Sequence, residues 1–422
     1  SAEIVMYEID KYISYSACGM PYYIGGEIED EGKLTPRGPE HFKEKYDIDV
    51  KTGHEVLSFN AEKKTLEVKN LETGEIFTDY YDKLLISTGA TSSIPPIKGV
   101  DKSHVFSLRN INDMNKIKGF LDQRKPKKAV VVGTGFIGME MAENLKILGL
   151  DVTMVEMLPH VSPVLDKEMS MLIEGHLNDK GVTVYTSNSA DEITDSQVIL
   201  KDGTILDAPM VIIATGITPN TKLAKEAGVE IGVTRAIKVN KLMETNLKDV
   251  YSVGDCAEQY NLITGKPAYV PLGSTANKTG RIAGINMTGG HVEFRGILGT
   301  AIYRIFDLTV AQTGLTEREA LKEGFKISVK QNRFPDKPGY MGGKKMTIRS
   351  VVDTESGRVL GAQIIGEQGV DKRIDVFATL ITYKATIDDL IHLDLAYSPP
   401  FSTTKDPILY VGMIQEDVVE EK

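Results

Sequence analysis

The polarity pattern changes period several times along the chain. Residues 2–8 are mostly apolar and read as a strand. Short continuous apolar runs recur at 84–89, 127–132, 150–156, 211–217 and 250–253. Runs of this length, rich in Val and Ile and followed by glycine, predict parallel strands buried on both faces. Helical spacing predicts helices over Pro39–Tyr46, 139–148 and 271–287. A strand is expected over 49–57, and segments 65–69 and 75–81 form a hairpin turning at Thr73-Gly74. After Gly290 the texture changes: strands at 298–308, 326–331, Lys345–Asp353 and 361–366, then helices at 371–384 and Ile387–Ile391. That segment reads as a separate α+β domain. The acidic tail 415–422 is expected to fray.

The pattern repeats internally. Residues 2–8 resemble 150–156, and Leu84-Leu85-Ile86-Ser87-Thr88-Gly89-Ala90 resembles Val211-Ile212-Ile213-Ala214-Thr215-Gly216-Ile217. Both pairs occur in the same order, which predicts two copies of a nucleotide-binding unit. The second copy is complete. A buried strand runs straight into Gly133-Thr134-Gly135-Phe136-Ile137-Gly138 and a helix, and Glu156 ends the next strand 23 residues after Gly133. Gly133 permits the tight turn, Gly135 lets backbone approach a pyrophosphate, and Gly138 packs helix on strand. The helix N-terminus favours the phosphates. Glu156 accepts hydrogen bonds from an adenosine ribose and repels a 2′-phosphate, which favours NAD over NADP. In the first copy Glu8 stands where Glu156 stands in the second, yet the chain begins at Ser1. About 25 residues of strand, glycine turn and helix are therefore expected to be missing from the first unit as given.

Length and charge narrow the picture. The 422 residues suffice for two or three domains. Net charge is −10 and no basic run interleaves with aromatics, so a nucleic-acid partner is not expected. No apolar stretch approaches the roughly 20 residues of a membrane span, and no secretory signal is visible. The two cysteines, Cys18 and Cys256, are far apart and fit no metal spacing or C-x-x-C pair, so no metal is expected and a reducing cytoplasm is. Cys18 lies in Ser14-Tyr15-Ser16-Ala17-Cys18-Gly19-Met20-Pro21-Tyr22-Tyr23. Cys-Gly suits a turn into a helix, whose positive end favours thiolate. The alternative is a small packing cysteine. Ser14 is open to hydrogen-bond the sulfur, or is a plain surface serine. Cys256, in the Gly254-Asp255 turn, reads as packing.

Five stretches together resemble the flavoprotein pyridine nucleotide–disulfide oxidoreductases: Ser14-x-x-x-Cys18-Gly19-x-Pro21-Tyr22-Tyr23; Ser87-Thr88-Gly89-Ala90; Gly133 to Glu140 with Glu156; Val253-Gly254-Asp255-Cys256-Ala257; and Ala396-Tyr397-Ser398-Pro399-Pro400-Phe401 leading to Lys405-Asp406-Pro407. No second cysteine follows Cys18, as in the single-cysteine branch of coenzyme A disulfide reductases, NADH oxidases and CoA-persulfide reductases. The resemblance implies an α/β fold with two Rossmann-like domains: an FAD domain over 1–109 and 236–295, interrupted by an NAD domain over 110–235. A dimerisation domain follows over 296–422. It implies FAD contacts from Glu8, Ser14, Thr88, Gly89, Gly254 and Asp255. On the NAD side it implies Gly133, Gly135, Gly138, Glu156 and Gly216, with Phe136 gating the nicotinamide. Turn and strand-end roles for Asp255 and Thr88 stay open.

The implied reaction carries electrons from NADH by way of FAD to a mixed disulfide of Cys18 with CoA. Cys18 thiolate then attacks the next CoA disulfide or persulfide. Asn277 and Lys405 stand at the family's CoA positions, and Arg281 is a further phosphate candidate. Tyr340 and Tyr397 would reach the site from the partner of a homodimer and supply a proton to the leaving thiolate. Two alternatives stand beside this reading: an NADH oxidase or peroxidase cycling Cys18 through sulfenic acid, and a non-catalytic thiol redox sensor.

Overall fold

A computed structural model describes residues 2–416. The second nucleotide unit is a five-stranded parallel sheet in the order Thr183–Tyr185, Asp151–Val155, Lys128–Val132, Val211–Ile213, Val105–Phe106. Val130 and Val131 of the central strand are fully buried, as are Val211 and Ile212 beside it. Burial on both faces is why these strands read as continuous apolar runs. The helices Ile111–Arg124, Phe136–Ile147 and Lys167–Asp179 give the sheet its helical cover, with Met114, Met139 and Met169 in the same core.

The first copy is divided into two small sheets. Ile4–Glu8 pairs in parallel with Ile48–Thr52, and Leu84–Ile86 pairs in parallel with Val250–Ser252. In the second copy the counterparts of Ile4–Glu8 and Leu84–Ile86 are joined through Lys128–Val132. Here no described strand joins them. Ile4, Met6 and Leu85, apolar strand residues, are 45%, 37% and 38% exposed.

Beyond residue 300 lies an antiparallel sheet in the order Ala301–Ile305, Leu308–Gly314, Val359–Gly366, Lys345–Asp353, Ile327–Pro335. The helix Val370–Thr382 sits in its core through Ile374, Phe377 and Ile381. This segment is tied to the second nucleotide unit by a buried polar knot. Asp166 accepts from Gln363 Nε2 at 2.6 Å and from Arg349 Nε at 3.2 Å, and Arg349 also pairs with Glu317. An acceptor and its donors must be satisfied together once water is excluded, so the knot fixes one unit on the other.

Several expected elements differ. The strand expected over 49–57 is two, Ile48–Thr52 and His54–Asn60, divided at Gly53 with φ 64°. The second of them joins the expected hairpin, Thr65–Asn70 with Ile76–Tyr80, in a three-stranded antiparallel sheet. The strand expected over 298–308 likewise breaks, with Phe306 at φ 56° between the two strands. The helix expected from 139 begins at Phe136 because Gly135, in an extended conformation, already serves as its N-cap. Gln415, placed in a frayed tail, is fully buried and donates to Ser350 Oγ at 2.9 Å. Residues 417–422 of that tail lie outside the described residues.

Candidate active site

The glycine turn of the second copy has the geometry its sequence requires. Gly133 adopts φ 102°, and a Cβ there would overlap the Ala214 carbonyl oxygen. A Cβ on Gly138 would overlap the Gly133 carbonyl, so helix and strand approach as closely as backbone allows. Around Gly135 nothing lies within 4 Å of a Cβ position, and no side chain caps the helix it opens. Unpaired N–H groups facing open space at a helix start suit a phosphate. Gly216, φ 98°, also faces open space. Phe136 packs edge-on against Tyr303 with ring centroids 5.3 Å apart. The Tyr303 hydroxyl lies 2.8 Å from Ser162 Oγ.

Glu156 is more committed than expected. Its Oε2 accepts from Thr134 N at 3.1 Å and Thr134 Oγ1 at 2.6 Å, and Oε1 from Leu158 N at 2.9 Å. Three of about four lone-pair positions are thus used. The carboxylate pins the turn and leaves one acceptor position unused.

Cys18 lies in a single 3₁₀ turn, Ala17–Gly19, that leads into the helix Met20–Gly25 with Pro21 near its start. Its side chain is exposed, whereas Cys256 is buried with Sγ 3.3 Å from the Val253 carbonyl. Both thiols are free. The expected thiolate is not favoured. Burial on its protein side raises the Cys18 thiol and the Glu140 carboxylate raises it further, with a lesser push from Asp255, while a backbone hydrogen bond and Arg109 lower it without offsetting these. A six-residue helix carries too little dipole to offset this. The exposure of the thiol limits how far the shift can go.

Those neighbours define the site. Arg109 donates Nη2 to Asp255 Oδ2 at 2.6 Å and Nε to the Ala90 carbonyl at 2.9 Å. Asp255 sits in the turn Gly254–Cys256, where Gly254 has φ 72°. The Tyr269 hydroxyl donates to the Asp255 carbonyl at 2.9 Å, and burial pushes its phenol up to about 12. Glu140 accepts from the Tyr22 hydroxyl at 3.3 Å, and burial pushes its carboxyl up to about 7. Thr88 donates to the Asn220 carbonyl at 2.6 Å, and Asn220 Nδ2 donates to the Thr88 carbonyl at 2.8 Å. The Thr88-Gly89 turn is therefore bound to the second copy at Asn220, just beyond the strand Ile217–Pro219, which pairs antiparallel with Ala90–Ser92. Arg109 and Asn220 carry no local motif and were missed in the sequence. Glu140 lay inside a motif, but its burial was invisible there.

The donors and acceptors fit FAD. Glu8, at the end of its strand, uses Oε1 for Asp10 N at 2.9 Å and leaves the rest of its carboxylate for a ribose. Thr88 is exposed, Gly89 and Gly254 have positive φ, and Asp255 lies alongside. That is an acceptor set with open backbone, suited to a ribityl chain and ribose.

Among the described residues no hydrogen bond links the other expected site residues to Cys18. Asn277 and Arg281 lie one turn apart on the exposed face of the helix Gly273–Met287. Ser14 forms an isolated backbone bridge with Arg37, and among the described residues its hydroxyl makes no hydrogen bond. Tyr340 and Tyr397 are 76% and 48% exposed, and neither hydroxyl bonds within the described chain. Lys405 is also exposed.

A family model described as pyridine nucleotide-disulphide oxidoreductase matches residues 1–274. The chain belongs to that family. The family's dimerisation domain matches residues 300–407. FAD and NAD(H) are the cofactors of these oxidoreductases. An NADH oxidase from Methanocaldococcus jannaschii is 36% identical over 99% of this chain and 93% of its own. A coenzyme A disulfide reductase from Staphylococcus haemolyticus is 34% identical over 99% and 94%. The solved NAD-dependent persulfide reductase of A. fulgidus superposes with TM-score 0.96 at 38% identity, covering 99% of this chain and 79% of that one. Among the described residues no helix is long and apolar enough to cross a membrane.

Proposed function

We propose that this oxidoreductase uses NADH to reduce coenzyme A disulfide or CoA persulfide through Cys18. The observation that carries the reading is the lone exposed cysteine at a helix start, influenced by Glu140, Asp255 and Arg109, where the two nucleotide units meet. FAD, when bound, relays the electron pair from nicotinamide to sulfur. Glu8, Ser14, Thr88, Gly89, Gly254 and Asp255 hold it, in a domain spanning 1–109 and 236–295. Gly133, Gly135, Gly138 and Gly216 leave backbone open to the dinucleotide of NADH in the domain 110–235. Glu156 selects its ribose, and Phe136 covers the nicotinamide side.

Cys18 sulfur attacks one sulfur of the CoA disulfide. The S–S bond breaks, a mixed disulfide forms, and the departing CoA thiolate takes a proton. Tyr340 and Tyr397 supply that proton from the partner of a homodimer built on the domain 296–422. Their exposure and unpaired hydroxyls support this. Asn277, Arg281 and Lys405 meet the CoA. Relatives named for CoA disulfide and persulfide reduction support the acceptor. The NADH oxidase relative supports the second reading, in which Cys18 passes through sulfenic acid. Every relative compared is named as a catalyst, which argues against the passive sensor.

Anaerobic titration of the purified protein with NADH, followed by flavin absorbance, tests the reading. Bleaching by NADH and reoxidation by CoA disulfide or persulfide support it. Reoxidation by oxygen alone favours the oxidase. A protein that takes up no flavin refutes both.

A further inference from the structure

One guanidinium is wholly buried in the dimerisation domain. Arg373, in the first turns of the helix Val370–Thr382, is 0% exposed. Nε and Nη2 grip Asp406 as a fork, at 3.0 Å to Oδ1 and 2.9 Å to Oδ2. Nη2 also donates to the Asp336 carbonyl at 3.0 Å and to Ser402 Oγ at 3.3 Å, and Nη1 to the Gly369 carbonyl at 2.9 Å. Asp336 closes the loop that carries Tyr340: its N–H meets the Lys344 carbonyl at 2.9 Å, and Lys344 N returns to its Oδ1 at 2.7 Å. Ser402 and Asp406 close the loop that carries Tyr397 and Lys405. Ser402 Oγ donates to Asp406 Oδ2 at 2.7 Å, and Asp406 caps the helix Pro407–Ile414 through Ile408 N at 3.1 Å. Burial alone would raise the Asp406 carboxyl, but the Arg373 fork and charge, with Ile408 N and Ser402, outweigh it and hold the carboxyl below its ordinary range.

We propose that Arg373 is the positioning residue that sets the Tyr340 loop and the Tyr397–Lys405 loop relative to each other. This rests on the reading that both loops serve the reaction. A planar fork with a rigid donor set can hold a carboxylate and a carbonyl of another loop at once. An ammonium on a flexible stem cannot keep all these bonds. Only the chain's own residues are involved, so the effect is present with or without cofactor.

The test uses the flavin-loaded protein and the variants Arg373→Lys and Ser402→Ala, the second keeping the ion pair in case the first does not fold. Amide hydrogen exchange should quicken together at 336–344 and 396–406, tenfold or more for Arg373→Lys and less for Ser402→Ala, with other segments unmoved. Flavin reduction by NADH should keep its rate and its KM while kcat with CoA disulfide falls tenfold or more. Tyr397→Phe should cost less in either variant than in the parent, because the tyrosine is already misplaced. Faster exchange in one loop only, or an undiminished Tyr397→Phe penalty, overturns the proposal. Full activity of Tyr340→Phe/Tyr397→Phe with the hub intact overturns the reading of the tyrosines instead, and the exchange result separates the two failures.

Discussion

Replacing Glu140 by glutamine should change how stability depends on pH. Glu140 lies on the glycine-turn helix, accepts from Tyr22, and faces Glu143 and Arg304. Burial is the main reason its carboxyl titrates near 7 rather than 4.5, with the Tyr22 hydrogen bond opposing it and the Glu143 charge adding to it. An acid with a raised folded-state pKa keeps its proton longer in the folded than in the unfolded chain. Protonation therefore stabilises the fold fully below pH 4.5, and that contribution disappears as pH rises through 7. A difference of roughly 2.5 pKa units corresponds to about 3 kcal/mol, an upper bound because part of the side chain meets water. Glutamine has the same shape and no charge. Urea unfolding from pH 4 to 8.5 should show the parent and Glu140→Gln alike at pH 4. The variant should be more stable by up to about 3 kcal/mol at pH 8. Loss of the Glu140 charge should also lower the Cys18 thiol pKa, read from the pH dependence of alkylation, since Cys256 is buried. A stability difference that does not vary with pH, or a variant less stable at pH 8 than at pH 4 relative to the parent, refutes the reasoning.

Further expectations follow from the same site. Cys18→Ser should still allow NADH to reduce the flavin and should abolish turnover with CoA disulfide or persulfide; turnover at the parental rate would make Cys18 structural. NADH should be preferred over NADPH, because Glu156 has one lone-pair position left and no cation beside it in Met157-Leu158-Pro159; equal kcat/KM for the two overturns this. Tyr340→Phe with Tyr397→Phe should leave flavin reduction by NADH intact and slow turnover with CoA disulfide by about 100-fold or more, as lost proton donation does. The protein should be a dimer by light scattering, and an active monomer at assay concentration would remove the shared site.

What the sequence disclosed was local. The turn from Gly133 to Gly138 needs a left-handed backbone at Gly133 and a close contact of Gly138 on the Gly133 carbonyl, so its spacing could be read directly. The likeness of Ile4–Glu8 to Asp151–Val155 and of Leu84–Ile86 to Val211–Ile213 was legible for the same reason, since each is a short continuous run. Contacts between distant segments were not legible. Arg109 meets Asp255 across 146 residues, Asp166 meets Gln363 across 197, and Arg304 meets Glu27 across 277. No local period encodes a partner that far away. Strand and helix limits failed where one residue takes a left-handed backbone conformation, as at Gly53 and Phe306.

The Cys18 thiol shows why a local argument can give the wrong sign. The sequence offered a helix N-terminus, which favours thiolate. The fold adds a desolvating wall and the carboxylate of Glu140, which arrives from the second nucleotide unit, 122 residues away. At such a site the helix end contributes about 0.3–1 kcal/mol, less than one pKa unit, while burial and a like charge act in the opposite direction. The same two influences make Glu140 and Cys18 interdependent. As Glu140 loses its proton near neutral pH, its new charge makes the thiolate harder to form. A group that binds between them and brings positive charge, or that keeps Glu140 protonated, would release the cysteine for attack. Reactivity of Cys18 therefore depends on what occupies the junction of the two units more than on the turn in which the cysteine sits.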